Sequence, residues 1–265
     1  MRENKIRTIW EEGGAALNGW LHIPSSWSAE VMAHQGWDSL TIDMQHGMAG
    51  FQVGLTMLQA ISTTETVPLA RVPWNEPAMI MRMLDAGAYG IICPMVNTRA
   101  EAEKFVGACR YHPQGYRSLG PTRASVYAGA GYAQHANETI ITMAMIETEE
   151  ALNNVEEIVS VPGLDAIYVG PGDLSLTLSG KGGVDLTDPL FLEALDKIVA
   201  ACQKHGVVAG IHTNSPAYAL QMIEKGFQFI TVMTDTRLLA RAAREMITGV
   251  KGEHAKAEMP QAGPY

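Results

Sequence analysis

The sequence predicts a single (β/α)8 barrel over residues 1–265, and three observations carry that expectation. A cadence of amphipathic segment, glycine and short apolar strand recurs along the whole chain. The strand candidates are almost entirely apolar, the pattern of parallel strands covered on both faces. Eight such units can be marked out, and eight alternating strand–helix units with parallel strands are the recipe for a closed barrel.

The strands are expected at 19–23, 38–43, 67–72, 89–93, 139–146, 165–169, 207–211 and 228–233. The second follows His34-Gln35-Gly36 and the fourth follows Asp85-Ala86-Gly87. The sixth follows Pro162-Gly163, the seventh Lys204-His205-Gly206 and the eighth Glu224-Lys225-Gly226. A glycine just past a helix end takes the left-handed cap conformation, so each of these marks a helix stop before a strand start. Helical patterns lie after the strands, for example at 77–86, 98–110, 149–160 and 236–247. An open, doubly wound sheet is the competing architecture, but no GxGxxG follows the first strand. Two stretches break the rhythm. Residues 111–137, rich in Gly, Ala and Tyr and carrying Arg117 and Arg123, read as a long functional or interface loop. Residues 179–188 read as a mobile glycine-rich crossover, and residues after about 252 as a poorly ordered tail.

A net charge of -9 and the scatter of Lys and Arg as single residues argue against nucleic-acid or anionic-membrane partners. No apolar run reaches the roughly 20 residues of a membrane span. Cys93, Cys109 and Cys202 lack CxxC spacing and form an odd set, which fits buried thiols in a reducing cytoplasm. The charged N-terminus lacks the apolar core of a signal peptide. The expectation is a soluble cytoplasmic protein.

Catalytic groups in such barrels come from the carboxyl ends of the strands. Those ends supply Trp20 and His22, Asp43 and His46, Arg71, Glu147, Gly172 and Asp173, and His212 and Asn214. Glu147 and Asp173 close successive strands, the latter in Val169-Gly170-Pro171-Gly172-Asp173. Two carboxylates can hold an octahedral Mg²⁺, Mn²⁺ or Co²⁺ and leave positions for water and substrate oxygens; helix capping is the plainer alternative. Asp43 is spaced to orient the ring of His46 as a general base. Arg71, inside an apolar strand, requires an anion, either a barrel carboxylate or a substrate. Gly172 would allow close approach of a ligand to the chain at a helix start. No GxSxG elbow points to a serine hydrolase, and no strand-end Lys points to a Schiff-base aldolase.

Taken together, these residues resemble the HpcH/HpaI aldolases, class II pyruvate-dependent enzymes. The resemblance rests on Asp43 with His46, Ala70-Arg71-Val72-Pro73, Leu84-Asp85-Ala86-Gly87-Ala88, Pro94-Met95-Val96, Ile146-Glu147-Thr148 and Val169 to Ser175. It implies a (β/α)8 barrel of the phosphoenolpyruvate/pyruvate type and a homohexamer, a trimer of dimers with an exchanged helix. It also implies a divalent metal on Glu147 and Asp173 that chelates pyruvate, Arg71 beside the keto oxygen, and His46 acting through water on the aldol hydroxyl. Trp20, Gly172 and His212 would help bind the pyruvate, or another 2-oxo acid, and the aldehyde. The reaction implied is reversible aldol cleavage of 4-hydroxy-2-oxo acids. A citramalyl- or malyl-CoA-type lyase and a non-catalytic oxo-acid-binding barrel are the alternatives. The chain departs from the family pattern at Gln45, Met145 and Gly172, and a polar His212 in the aldehyde pocket would favour hydroxylated aldehydes.

Overall fold

The structure, a computed structural model, describes residues 1–252. Its elements run α1 (Lys5–Glu11), β1 (Ala16–Leu21), α2 (Ser26–Ala33), β2 (Ser39–Asp43), α3 (Phe51–Ile61), β3 (Val67–Arg71), α4 (Pro77–Asp85) and β4 (Gly90–Cys93). They continue α5 (Arg99–Cys109), α6 (Thr122–Ala128), α7 (Tyr132–Thr139), β5 (Ile141–Ile146), α8 (Glu149–Asn153), α9 (Val155–Val159) and β6 (Ala166–Val169). The last are α10 (Pro171–Ser179), α11 (Pro189–His205), β7 (Val208–Thr213), α12 (Pro216–Lys225), β8 (Phe229–Thr234) and α13 (Asp235–Lys251). The eight strands are parallel, pair in chain order and close β8 onto β1. The expected barrel is therefore the observed one.

The glycine punctuation is visible in the backbone: Gly36, Gly87, Gly163, Gly206 and Gly226 all have positive φ. Helix starts are marked as firmly. Thr98 and Glu101 form a capping box at α5, and Ser25, Thr148, Ser215 and Thr234 accept main-chain N–H groups at α2, α8, α12 and α13. Proline stands in the first turn of α4, α10, α11 and α12, where its missing N–H costs nothing.

Four expectations need correcting. The first strand starts at Ala16, three residues before the expected 19, and the seventh and eighth run on to Thr213 and Thr234. Their polar ends are absorbed inside the barrel, where Thr213 Oγ1 donates to the Thr231 carbonyl (2.8 Å). The stretch 149–160 is two short helices, divided at Asn154, whose amide donates to the Asn97 carbonyl (2.9 Å). Residues 111–137 are not an open loop but carry α6 and most of α7. Arg117 anchors that segment by donating to Asp85 Oδ1 (2.7 Å) and the Tyr132 hydroxyl (2.9 Å), and Arg123 by donating to Ser62 Oγ (2.8 Å). Finally, Asp173, expected to close the sixth strand, lies in the first turn of α10, past the end of β6 at Val169. The 179–188 connection, read from the sequence as a mobile crossover, is irregular after Ser179, and the tail expected after 252 lies outside the described residues.

The barrel interior is layered. At its centre Asn18 Oδ1 accepts from Ser39 Oγ (2.9 Å) and Thr41 Oγ1 (3.0 Å), while its amide donates to Thr231 Oγ1 (2.9 Å). Each of these polar groups is buried and paired, as burial demands. Nearer the carboxyl ends of the strands lie Trp20, Asp43 and Arg71.

Candidate active site

The side chains of the site are delivered by strand ends. Trp20 comes from β1, Asp43 and Arg71 end β2 and β3, Glu147 follows β5, and His212 lies in β7. The register places Asp43 directly beside Arg71. Trp20, His22, Arg71, Glu147, Asp173 and His212 line one pocket, together with Tyr168, Gly170 and Val184.

Asp43 is the node of the site. Its Oδ2 accepts from Trp20 Nε1 (3.2 Å), His22 Nε2 (2.8 Å) and Arg71 Nη2 (2.5 Å). Its Oδ1 accepts from Arg71 Nε (2.9 Å) and from the main-chain N–H groups of Gln45 (3.0 Å) and His46 (3.2 Å). Complete burial alone would raise its pKa, yet the bonds from His22 and Arg71 and the charge of Arg71 hold the carboxyl well below the usual range. The anion that Arg71 requires is thus, first of all, Asp43. The guanidinium also sits over the Trp20 ring, 4.9 Å from its centroid. Gly47 lets the β2–α3 loop fold back, because a Cβ there would collide with the Asp43 carbonyl and crowd the His22 backbone.

The ring that Asp43 meets is therefore that of His22. The expected Asp43–His46 pairing takes a main-chain form, with His46 itself exposed on the loop after β2. Partial burial and the nearby charge of Arg71 lower the His46 pKa. His22 was legible as a strand-end residue one alternation beyond Trp20, but nothing local in the sequence told which histidine the Asp43 side chain would select.

Glu147 is the opposite case. It is 2 % exposed, yet its one hydrogen bond among the described residues comes from the Met95 N–H to Oε1 (2.7 Å). Met95 holds a left-handed φ of 54 to aim that group, a conformation uncommon outside glycine. Burial pushes the Glu147 pKa up to about 7, and the negative charge of Asp173 adds to the rise. Gly170 permits the carboxylate's position, since a Cβ there would lie 2.6 Å from Glu147 Oε2. Gly172, expected to let a ligand approach the chain at a helix start, is buried in the first turn of α10, where its carbonyl accepts from Ser175 Oγ (3.1 Å).

His212 meets Trp20 edge-on (centroids 5.5 Å, 85°), and Trp20 stacks on Tyr168 (5.4 Å, 16°). His212 Nδ1 is 3.1 Å from the Tyr168 hydroxyl, and burial with the charge of Arg71 pushes its pKa down to about 3. Asn214, the last strand-end candidate, turns its N–H away from the pocket, to Asp185 Oδ1 (2.8 Å).

A buried guanidinium, a deeply ionised aspartate and two further carboxylates at the carboxyl-end mouth of a parallel barrel define a barrel-enzyme site. The chain belongs to the HpcH/HpaI aldolase/citrate lyase family, whose model matches residues 19–242. It is 43% identical over 248 residues to a hydroxypyruvate/pyruvate aldolase of Rhizorhabdus wittichii, covering 94% of this chain and 99% of that one. It is 35% identical over 261 residues to a 4-hydroxy-2-oxo-heptane-1,7-dioate aldolase of Escherichia coli, covering 97% and 98%. Among solved structures, an HpcH/HpaI aldolase/citrate lyase family protein of Burkholderia cenocepacia superposes with a TM-score of 0.87 at 31% identity, covering 94% of this chain and all of that one. The protein is an enzyme, a carbon–carbon lyase of the aldolase type. Among the described residues no helix is long and apolar enough to cross a membrane.

Proposed function

We propose that the protein is a divalent-metal-dependent class II aldolase that reversibly cleaves 4-hydroxy-2-oxo acids to pyruvate, by way of its enolate, and an aldehyde. The observation that carries the reading is the Arg71 guanidinium, fixed by Asp43 and lining one pocket with Glu147 and Asp173. A buried carboxylate with a single donor, next to a second negative charge, is short of positive charge. Glu147 and Asp173 fit Mg²⁺, Mn²⁺ or Co²⁺, a hard cation that accepts two carboxylates and fills its other positions with water and substrate oxygens. When bound, the cation supplies positive charge for the oxo acid's oxygens and for the negative charge they gain.

The chain's own groups do the rest. Arg71 donates to the C2 oxygen, where the electron pair of the breaking C3–C4 bond arrives, and preorganised charge of this kind is commonly the largest catalytic contribution. Because Asp43 already holds two of its nitrogens, that guanidinium needs no reorganisation as charge develops. The first turn of α10, with Gly172 and Asp173, offers main-chain N–H groups toward the substrate carboxylate. Trp20 forms a flat apolar wall. His46, whose pKa is lowered by partial burial and the charge of Arg71, takes up the aldol hydroxyl proton through water and returns it in the synthetic direction.

The α13 face exposes Leu239, Met246, Ile247 and Val250, which supports a homo-oligomer and agrees with the hexamer implied by the family resemblance. Mass in solution tests this, and a monomer would refute it. Three buried, unpaired cysteines support a cytoplasmic location. The decisive test of the chemistry is proton NMR of pyruvate in heavy water. Metal-dependent loss of the methyl signal, abolished by chelator and by Arg71→Ala, is the expected result. No exchange with any of the three metals, and no cleavage of a 4-hydroxy-2-oxo acid, would refute it.

A further inference from the structure

β1 ends at Leu21, and the two residues after it hang on a carboxylate from the other end of the chain. The N–H of His22 donates to Asp235 Oδ1 (2.9 Å) and that of Ile23 to Asp235 Oδ2 (3.1 Å). Oδ1 also accepts from the Thr236 N–H (2.7 Å), so the carboxylate bridges the start of α13 and the exit of β1. A carboxylate that served only α13 would meet that helix's own N–H groups; here two of the three donors come from the β1 exit. Among the described residues Asp235 is also the one buried residue of α13.

The backbone is shaped to deliver it. The pairing of β1 with β8 slips by one residue, from Asn18 opposite Thr231 to Trp20 opposite Thr234. Met233, inside the slip, holds a left-handed φ of 61, which is unfavourable for a residue with a side chain and persists where the surroundings enforce it. The extra residue advances Thr234 into the pocket wall and brings Asp235 within reach of the His22 N–H.

His22 is the junction between this clamp and the site. Its ring Nε2 lies 2.8 Å from Asp43 Oδ2, and its carbonyl accepts from the Met48 N–H (3.1 Å). The loop between them lies against it, since a Cβ at Gly47 would come within 3.2 Å of the His22 Cα. The other side of that loop is held by Asp43 Oδ1, through the N–H groups of Gln45 and His46. The segment bearing His46 is thus gripped from two sides, and one of the two grips is itself held by Asp235. Arg71 is different: Asp43 binds two of its nitrogens directly, with no part played by Asp235.

We propose that Asp235 is a positioning residue of the reaction: through His22 it sets the loop that carries His46 for transfer of the aldol hydroxyl proton. This rests on the aldolase reading and adds a residue that touches neither substrate nor metal. It also makes the foot of α13, rather than its exposed length, the part of that helix on which proton transfer depends.

The test compares two reactions that share an enolate and differ in one proton. Decarboxylation of oxaloacetate breaks its C3–C4 bond, releases CO2 and sends the electron pair to the C2 oxygen beside Arg71; no hydroxyl proton has to leave. Aldol cleavage of 4-hydroxy-2-oxopentanoate breaks the corresponding bond and gives the same enolate, but the C4 hydroxyl must lose its proton as acetaldehyde forms. kcat and KM for both are measured with Mn²⁺ in wild type and in Asp235→Asn, which keeps the size of the side chain and turns an NH2 toward one of the two main-chain N–H groups. The ratio of cleavage kcat to decarboxylation kcat should fall about tenfold, the worth of one hydrogen bond, with KM for either substrate within about twofold of wild type. A merely structural loss lowers both reactions together and leaves the ratio alone. Should Asp235→Asn not fold, Met48→Pro replaces it: the Met48 side chain is exposed, and the change removes the N–H donated to the His22 carbonyl, with the same fall in ratio expected. A ratio unchanged within twofold in the variant that folds would overturn the role of Asp235 and leave the aldolase reading standing. A wild type that cleaves no 4-hydroxy-2-oxo acid with Mg²⁺, Mn²⁺ or Co²⁺ would sink both.

Discussion

Asp43 and Glu147 are both buried carboxylates at strand ends of the same barrel, and their surroundings are opposite. Asp43 receives three donors on each oxygen and is held far below its ordinary pKa. Glu147 receives one donor, faces Asp173 and is pushed up to about 7. Asp43 is thereby saturated: it has no lone pair left for chemistry, and its work is to fix Arg71 and His22. Glu147 is left wanting positive charge, the condition expected of a group that shares a cation. The difference teaches that a buried carboxylate's role is read from how completely it is paired, since burial is common to both.

The comparison can be broken most sharply at Glu147. Glu147→Gln should lower aldol cleavage by at least about 10²–10³-fold, the scale seen when one preorganised electrostatic group is removed. Its melting temperature should hold or rise, because an under-paired buried charge has been replaced by a neutral amide. A large drop in thermal stability with activity intact would reverse the roles assigned to the two carboxylates.

Arg71→Ala should damage both properties. It strands Asp43 as a buried charge without its main partner, which costs about 3–5 kcal/mol, and it removes the donor at the C2 oxygen. Urea denaturation and pyruvate methyl exchange read the two effects separately. Loss of exchange at unchanged stability would mean that Asp43 does not depend on Arg71 as its hydrogen bonds indicate.

A third test sharpens the comparison without a substrate. Excess Mn²⁺ at about 100 times its Kd should stabilise the wild type by about 2.7 kcal/mol and do nothing for Glu147→Gln. Equal stabilisation of both proteins would locate the cation elsewhere.

The smallest effect concerns His212, whose pKa lies at about 3 in the folded protein against an ordinary 6.5. Between those values the unfolded chain binds the extra proton. The contribution of a neutral His212 to stability is therefore complete above pH 6.5 and is lost as the pH falls below it, by at most about 1.4 kcal/mol per pH unit. The ring borders the pocket, so the measured slope should fall short of that limit. In His212→Phe the urea midpoint should fall less steeply between pH 6.5 and 4, and an unchanged slope would show that the ring protonates freely in the folded state.

Much of the architecture was legible from local chemistry. Apolar strands and glycine stops repeat because each βα unit solves the same local problem, and the positive φ at Gly87, Gly206 and Gly226 follows from helix ends marked in the sequence. Arg71, Glu147 and Asp173 were legible as strand-end residues for the same reason. The helices α6 and α7 were not, because Gly129, Gly131 and an alanine-rich composition hide their periodicity, and Arg117 and Arg123 hold them through partners far away in sequence. Which imidazole meets Asp43 and which glycine makes room for Glu147 are likewise matters of register and packing across the barrel. The sequence by itself determined the eight strand–helix units, the closed barrel and the set of strand-end groups, since short-range propensity and burial pattern suffice for those. Only the tertiary structure decided which of those groups pair, because strands distant along the chain become neighbours when the barrel closes.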